Sequence, residues 1–335
     1  MDTATTSKAE IASPIQDVDD ELQQLLQTLP EEQGWVSGSS LYLYQGFWYA
    51  PHILKHAISC QRHFQASDSD VIVATSPKCG TTWLKALTFS TLYRNQFTRD
   101  ESPLLTFNPH RLAPSLEYGV DLNNPCPGRV YKPRLFGTHI PYASLPASIK
   151  DSDCKIVYMC RNPMDMFISF WHFRDMLRDE SKELLSLDEA FDKFCRGIYF
   201  SGPFFEHVLG YWKASRENPN KILFLKYEDL KEDISCQLKH LAMFLGVPFT
   251  EDEEKGGVVE EIANICSFEK LKELEVNKNG SQNGIPYKVF FRKGKVWDWS
   301  NYLTPSMVER LEKLIQEKLD KSGLTFKLSS KSSKP

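Results

Sequence analysis

The sequence has no apolar run of membrane-spanning length, which takes about 20 residues. Met1 to Asp20 is polar and acidic and lacks the apolar stretch of a secretory signal, so a cytoplasmic location is expected. Basic residues are not in excess: 40 Lys and Arg face 44 Asp and Glu, a net charge of −4. That gives a nucleic-acid partner no global electrostatic support. None of the eight cysteines forms a C-x-x-C pair, and the eight histidines show no metal-ligand spacing. Reduced thiols and no metal are therefore expected. A Walker A loop is missing as well, which excludes the common way of gripping ATP.

What is present is an ordinary globular composition, 41% apolar and 25% charged over 335 residues, ample for a large core. Val71–Thr75 is a short, largely β-branched run that reads as a buried strand. Pro77 and Gly80 punctuate a loop, and Thr81, Thr82 and Trp83 lead into an apolar helix pattern. A strand that feeds a loop at a helix N-terminus makes an anion site, because the first N–H groups of the helix lack partners. Lys78 adds a positive charge and the threonines add hydroxyl donors. Lys78 precedes Gly80 rather than following it, so the cradle differs from a Walker loop.

Cys154–Cys160 reads as a second buried strand and Lys221–Lys226 as a third, each running into a loop and helix. The expected fold class is α/β: a single domain with a central parallel sheet flanked by helices and a P-loop-like nucleotide-binding architecture. Ligands bind such sheets at strand C-termini, so Arg161, just past the second strand, faces the same crevice as Lys78. Its planar fork suits a phosphate, with Ser169 close by along the next helix. Residues 1–20 and 329–335 are expected to be disordered tails around a domain at 21–328. Glu21–Leu29 is read as a short amphipathic helix and Leu230–Leu245 as one helix closed by Gly246. Thr250 and Glu253 form a capping box. The aromatics of Leu41–Tyr49, Phe47 and Trp48 above all, are candidates to line an acceptor pocket or to anchor the core.

The string Pro77-Lys78-Cys79-Gly80-Thr81-Thr82-Trp83 resembles the PKSGTTW box of cytosolic sulfotransferases, with Cys79 in place of the usual Ser. Three further stretches match in the family's order: Thr138-His139-Ile140-Pro141, Arg161 with Ser169, and Phe291-Arg292-Lys293-Gly294. The plant cytosolic branch is the most similar. This resemblance implies 3′-phosphoadenosine 5′-phosphosulfate (PAPS) as co-substrate and a small hydroxyl acceptor such as a flavonoid, hydroxyjasmonate or brassinosteroid. It implies His139 as general base, its pKa near 6.5 suited to the task, and Lys78 as the charge that meets the leaving group. Residues 78–83 would hold the 5′ end. Arg161, Ser169, Arg292, Lys293 and Gly294 would hold the 3′-phosphate, and Tyr227, Ser267 and Phe268 the adenine. Ser169 would hold Lys78 back until acceptor binds.

Gly137 stands where many members have a second lysine, which is expected to leave more work to Lys78. Trp297 stands where the family commonly has Gly. The animal dimer motif is incomplete around Ser300, Thr304, Pro305 and Glu309, so a monomer or weak dimer is expected. A small-molecule or nucleotide kinase and a non-catalytic PAPS-binding protein remain open alternatives.

Overall fold

A computed structural model describes residues 16–118 and 131–329, with side chains from Glu21 onward. Most of both expected tails, and Cys126, lie outside the described residues. The first helix, α1 (Gln16–Leu26), begins inside the stretch read as tail and ends before Leu29. The aromatic run is a β-hairpin: β2 (Ser40–Tyr44) and β3 (Phe47–Tyr49) pair antiparallel, and β1 (Glu31–Gln33) pairs with β2. Gln45 and Gly46 carry positive φ values of 51° and 83°, the backbone a two-residue hairpin turn demands.

The central sheet holds β4 (Val71–Thr75), β5 (Leu135–Thr138), β6 (Lys155–Cys160) and β7 (Ile222–Lys226) in the order β5-β4-β6-β7, all parallel. Alternate side chains of each strand enter two cores, as the two-residue strand period requires. Ile72, Ala74, Ile156 and Tyr158 pack toward α2 (Pro51–His63), α4 (Pro163–Leu177), α5 (Phe204–Glu217) and α7 (Pro305–Leu319). Val71, Val73, Val157 and Met159 pack toward α3 (Thr81–Tyr93) and α6 (Ile234–Phe244). The stretch read as one helix from Leu230 is broken at Asp233, whose carboxylate accepts the Cys236 N–H at 2.9 Å and starts α6 afresh. The capping box at Thr250 and Glu253 is formed as expected.

The neighbours of β4 lie on opposite sides, β5 on one and β6 on the other. A crevice opens at the C-terminal end of such a strand. The lysine loop leaves the sheet there.

Candidate active site

Past β4, Lys78 and Gly80 turn through left-handed backbone, with φ of 65° and 95°. A Cβ at Gly80 would lie 2.7 Å from Met159 Cε and 2.8 Å from Tyr227 Cδ2, so both the conformation and the space call for glycine. Gly80 is the N-cap of α3 and supplies no side-chain cap, which leaves the first N–H groups of that helix for an anion. Thr81 Oγ1 lies 2.7 Å from Thr75 Oγ1, fixing the loop to the strand it left. The Cys79 side chain is buried in the core below the loop; burial pushes its thiol up, and only its backbone faces the cradle.

Lys78 is enclosed, and burial, with Arg161 and Arg292 nearby, pulls its ammonium down to about 7. Its Nζ sits 4.0 Å from the Phe173 ring centroid and 5.9 Å from that of Phe290. Aromatic faces hold it, and no hydrogen bond joins it to Ser169 among the described residues.

A second cationic end lies across the crevice. Arg161, after β6, donates to the Lys295 carbonyl at 2.7 Å and sits 3.8 Å from Asp165. Arg292 is 2.8 Å from Asp298, which also takes Lys293 at 2.8 Å. Both arginines keep a buried Nε without a partner, so each retains a donor for an anion. Ser169 faces the same space from α4, one helical stretch beyond Arg161. Gly294 has φ of 64°, and a Cβ there would press on the Phe268 ring, 2.5 Å from Cδ2. Tyr227 meets Trp83 edge-on at 5.4 Å and Arg161 face-on at 4.5 Å. Ser267 caps the short helix that presents Phe268. Trp297, where glycine is common, takes φ of 61°, which explains that preference; its N–H donates to Asp165 at 2.6 Å.

His139 follows β5 with its backbone clamped from both sides. Glu117 accepts the His139 N–H at 2.8 Å and the Thr138 hydroxyl at 2.9 Å. His207 donates from Nε2 to the His139 carbonyl at 3.0 Å, while its Nδ1 accepts from Tyr158 at 3.0 Å. The His139 Nδ1–H donates to the Thr75 carbonyl at 2.8 Å. A carbonyl only accepts, so the proton sits on Nδ1 and Nε2 carries the lone pair. Burial pulls this imidazole down to about 3, well below the ordinary value expected from sequence. It is neutral across the physiological range because it is desolvated.

One cavity of about 810 Å³ joins these parts. Lys78, Gly80, Thr81, Thr82 and Trp83 line its middle, and Arg161, Ser169, Tyr227, Ser267, Phe268, Arg292, Lys293 and Gly294 line one end. His139 faces the other end, with Tyr118, His52, Arg174 and the backbone before β2. Phe47 and Trp48 are not in that wall. Phe47 packs on His207 in the main core, 6.2 Å between ring centroids, and Trp48 packs with Leu41 and Ile198. Strand alternation sends these adjacent rings to opposite faces of the hairpin, and each is buried in its own cluster, so of the two readings open from sequence the core anchor holds.

Several residues around the site escaped the sequence reading: Glu117, His207, His110, Lys85 and Arg174. Each lies in an irregular segment or on a helix at a position outside the motif residues.

A parallel sheet with an anion cradle after its central strand, a second arginine-rich anion end and a desolvated histidine defines a nucleotide-dependent group transferase. Residues 68–323 match the sulfotransferase domain family. The chain is 51% identical to cytosolic sulfotransferase 15 of Arabidopsis thaliana, over 92% of this chain and 88% of that one. It is also 51% identical to cytosolic sulfotransferase 14 of the same plant, over 92% and 91%. Among solved structures, an Arabidopsis thaliana protein assigned as a steroid sulphotransferase is similar at 42% identity and a TM-score of 0.72, over 92% of this chain and 98% of that one. A mouse sulfotransferase complexed with PAP is similar at 28% identity and a TM-score of 0.66, over 84% and 95%. The chain belongs to the sulfotransferase family, in its plant cytosolic branch, and is a PAPS-dependent transferase.

Proposed function

We propose that this enzyme transfers the sulfuryl group of PAPS to a hydroxyl of a small, lipophilic acceptor in the cytoplasm. The observation that carries the reading is the shared cavity. It puts Lys78 between a lone-pair nitrogen, His139 Nε2, and the orphaned donors of Arg161 and Arg292. A ligand with a 5′-phosphosulfate and a 3′-phosphate satisfies both cationic ends.

His139 Nε2 takes the acceptor's O–H proton as the acceptor oxygen bonds to sulfur. The S–O bond to the 5′-phosphate breaks in the same passage, and its electron pair leaves with the phosphate. Lys78 and the first N–H groups of α3 meet that charge. Bound polyanion restores the ammonium that burial weakens, because opposite charge favours the charged form. The site's charge is supplied by Lys and Arg, so no metal is required in this scheme. A kinase reading loses its support with family membership, and His139 and Lys78 argue against a purely binding role.

The acceptor end favours an acid over a neutral compound. Arg174 lines it and makes no ion pair with any carboxylate among the described residues; a half-buried guanidinium without a partner is poorly compensated. Hydroxyjasmonate-type hydroxy acids fit better than a neutral brassinosteroid. The relative assigned as a steroid sulphotransferase keeps steroids in the comparison. Labelled PAPS with a panel of phenols, hydroxy acids and steroids tests the reading. Label should move fastest to a hydroxy acid, and Arg174→Met should raise KM for that acid about tenfold or more while sparing neutral acceptors. Equal rates on neutral and acidic acceptors would overturn the preference.

A further inference from the structure

The missing lysine at Gly137 has a replacement, and it comes from a different element. A Cβ built at Gly137 would lie 2.5 Å from Lys85 Nζ. The Lys85 side chain, wholly buried on α3, crosses to β5 and fills the space that a side chain at 137 would occupy. With the Lys85 ammonium where it stands, a side chain at 137 would have to displace it.

Lys85 is tied there by two bonds. Its ammonium donates to Ser115 Oγ at 2.8 Å and to His110 Nδ1 at 3.3 Å. Burial pulls Lys85 down to about 7 while Glu117 beside it opposes the shift; in the ammonium form it has no lone pair, so the direction of the second bond is then fixed. With Nδ1 accepting, His110 carries its proton on Nε2 and donates to Thr82 Oγ1 at 2.9 Å. Thr82 Oγ1 is then already an acceptor, and its own proton is free to point elsewhere. Thr82 stands in the first turn of α3 and lines the cavity beside Lys78. The His110 ring is held in place by stacking on Phe290, 4.4 Å between centroids.

We propose that Lys85 is a positioning residue for sulfuryl transfer, setting the direction of the chain Lys85 to His110 to Thr82 so that the Thr82 hydroxyl is a standing donor to the leaving 5′-phosphate. Lys85 is not among the residues that line the cavity, so it acts through His110 and Thr82 rather than on the reacting atoms. Without the ammonium, His110 is free to take the other tautomer. Thr82 would then donate to His110, and the cradle would lose a donor where charge grows. The inference rests on the sulfuryl-transfer reading above.

The test is a crossed pair of substitutions. Lys85→Met keeps length and removes charge; it should lower kcat about 10- to 100-fold, with KM for acceptor and affinity for 3′,5′-adenosine bisphosphate nearly unchanged. Gly137→Lys alone should be at least as damaging, since two side chains meet in one buried space. The double variant Lys85→Ala/Gly137→Lys should recover activity over either single change, because it supplies one ammonium to the same spot from the other wall. A purely structural role for Lys85 predicts that any recovery tracks the melting temperature, whereas the positioning role predicts a lowered kcat in Lys85→Met even where its melting temperature matches wild type. Wild-type kcat in folded Lys85→Met, or a double variant no better than the worse single one, overturns the proposal. Melting curves report folding, and nitrogen-15 NMR of histidine in the wild-type protein decides if the variants do not fold. His110 protonated on Nε2 supports the chain; protonation on Nδ1 overturns it. A wild-type enzyme that moves no label from PAPS sinks the sulfuryl-transfer reading instead, and the tautomer result stands independently of it.

Discussion

In the proposed transfer, His139 serves as base by virtue of where it sits. Thr75 assigns its proton, Glu117 and His207 fix its backbone, and desolvation keeps it neutral. His139→Ala should lower kcat by an amount equal to about 2–5 kcal/mol of barrier. Binding of 3′,5′-adenosine bisphosphate, followed by calorimetry, should hardly change, because its cationic ends are elsewhere. A variant with near-normal turnover would remove His139 from the chemistry. The residues of the four boxes were legible in the sequence because each sits in a short motif or at a fixed spacing, and Lys78, His139 and Arg161 lie just past strand ends. The groups that tune them were not. Glu117 lies in an irregular segment and Lys85 reads as a surface lysine on a helix, so nothing local reveals that both are buried beside β5.

At the level of elements, the crevice depends on β5 staying in register beside β4. Asp70, fully buried before β4, accepts from Arg134 Nε at 2.8 Å and Nη2 at 2.5 Å and from the Ser67 N–H at 2.8 Å. Arg134 directly precedes β5, so this fork ties the starts of both strands. Asp70→Ala removes one partner of a largely buried pair and should cost about 2–4 kcal/mol in urea unfolding. A loss below about 0.5 kcal/mol would mark the pair as incidental. All four central strands were legible, three as apolar runs and Leu135–Thr138 as a short strand leading to His139. The β-hairpin at Ser40–Tyr49 was not, since five aromatics in one short stretch hide the alternation that marks a strand. The helix break at Asp233 was missed for a similar reason: apolar spacing continues across it.

For the whole molecule, buried neutral histidines shape stability against pH. Burial pulls His207 down to about 4, while in the unfolded chain it titrates near 6.5. Between those values the unfolded chain takes up a proton that the folded one refuses, so stability falls as pH falls, by about 1.4 kcal/mol per pH unit for each such histidine. His207→Gln removes one of them. The stability gap between wild type and this variant should narrow by about 2–3 kcal/mol from about pH 7 to about pH 4.5. A gap independent of pH, measured by denaturant unfolding, would mean that His207 is protonated in the fold.

The parallel sheet and its ligand edge followed from strand–loop–helix order alone. The proposed preference for an acidic acceptor did not, because nothing in the sequence marks Arg174, past Ser169 on the same helix, as facing the cavity. The central claim is that one cavity couples a base at His139 to a leaving-group cradle at Lys78. Its most direct measurement is transfer of labelled sulfuryl from PAPS to a hydroxy acid by wild type and by His139→Ala, with both proteins shown to bind 3′,5′-adenosine bisphosphate. The account predicts label on the acceptor oxygen with wild type and a rate at least about 30-fold lower with the variant. Equal rates from the two proteins, or no transfer to any hydroxyl by wild type, would contradict it.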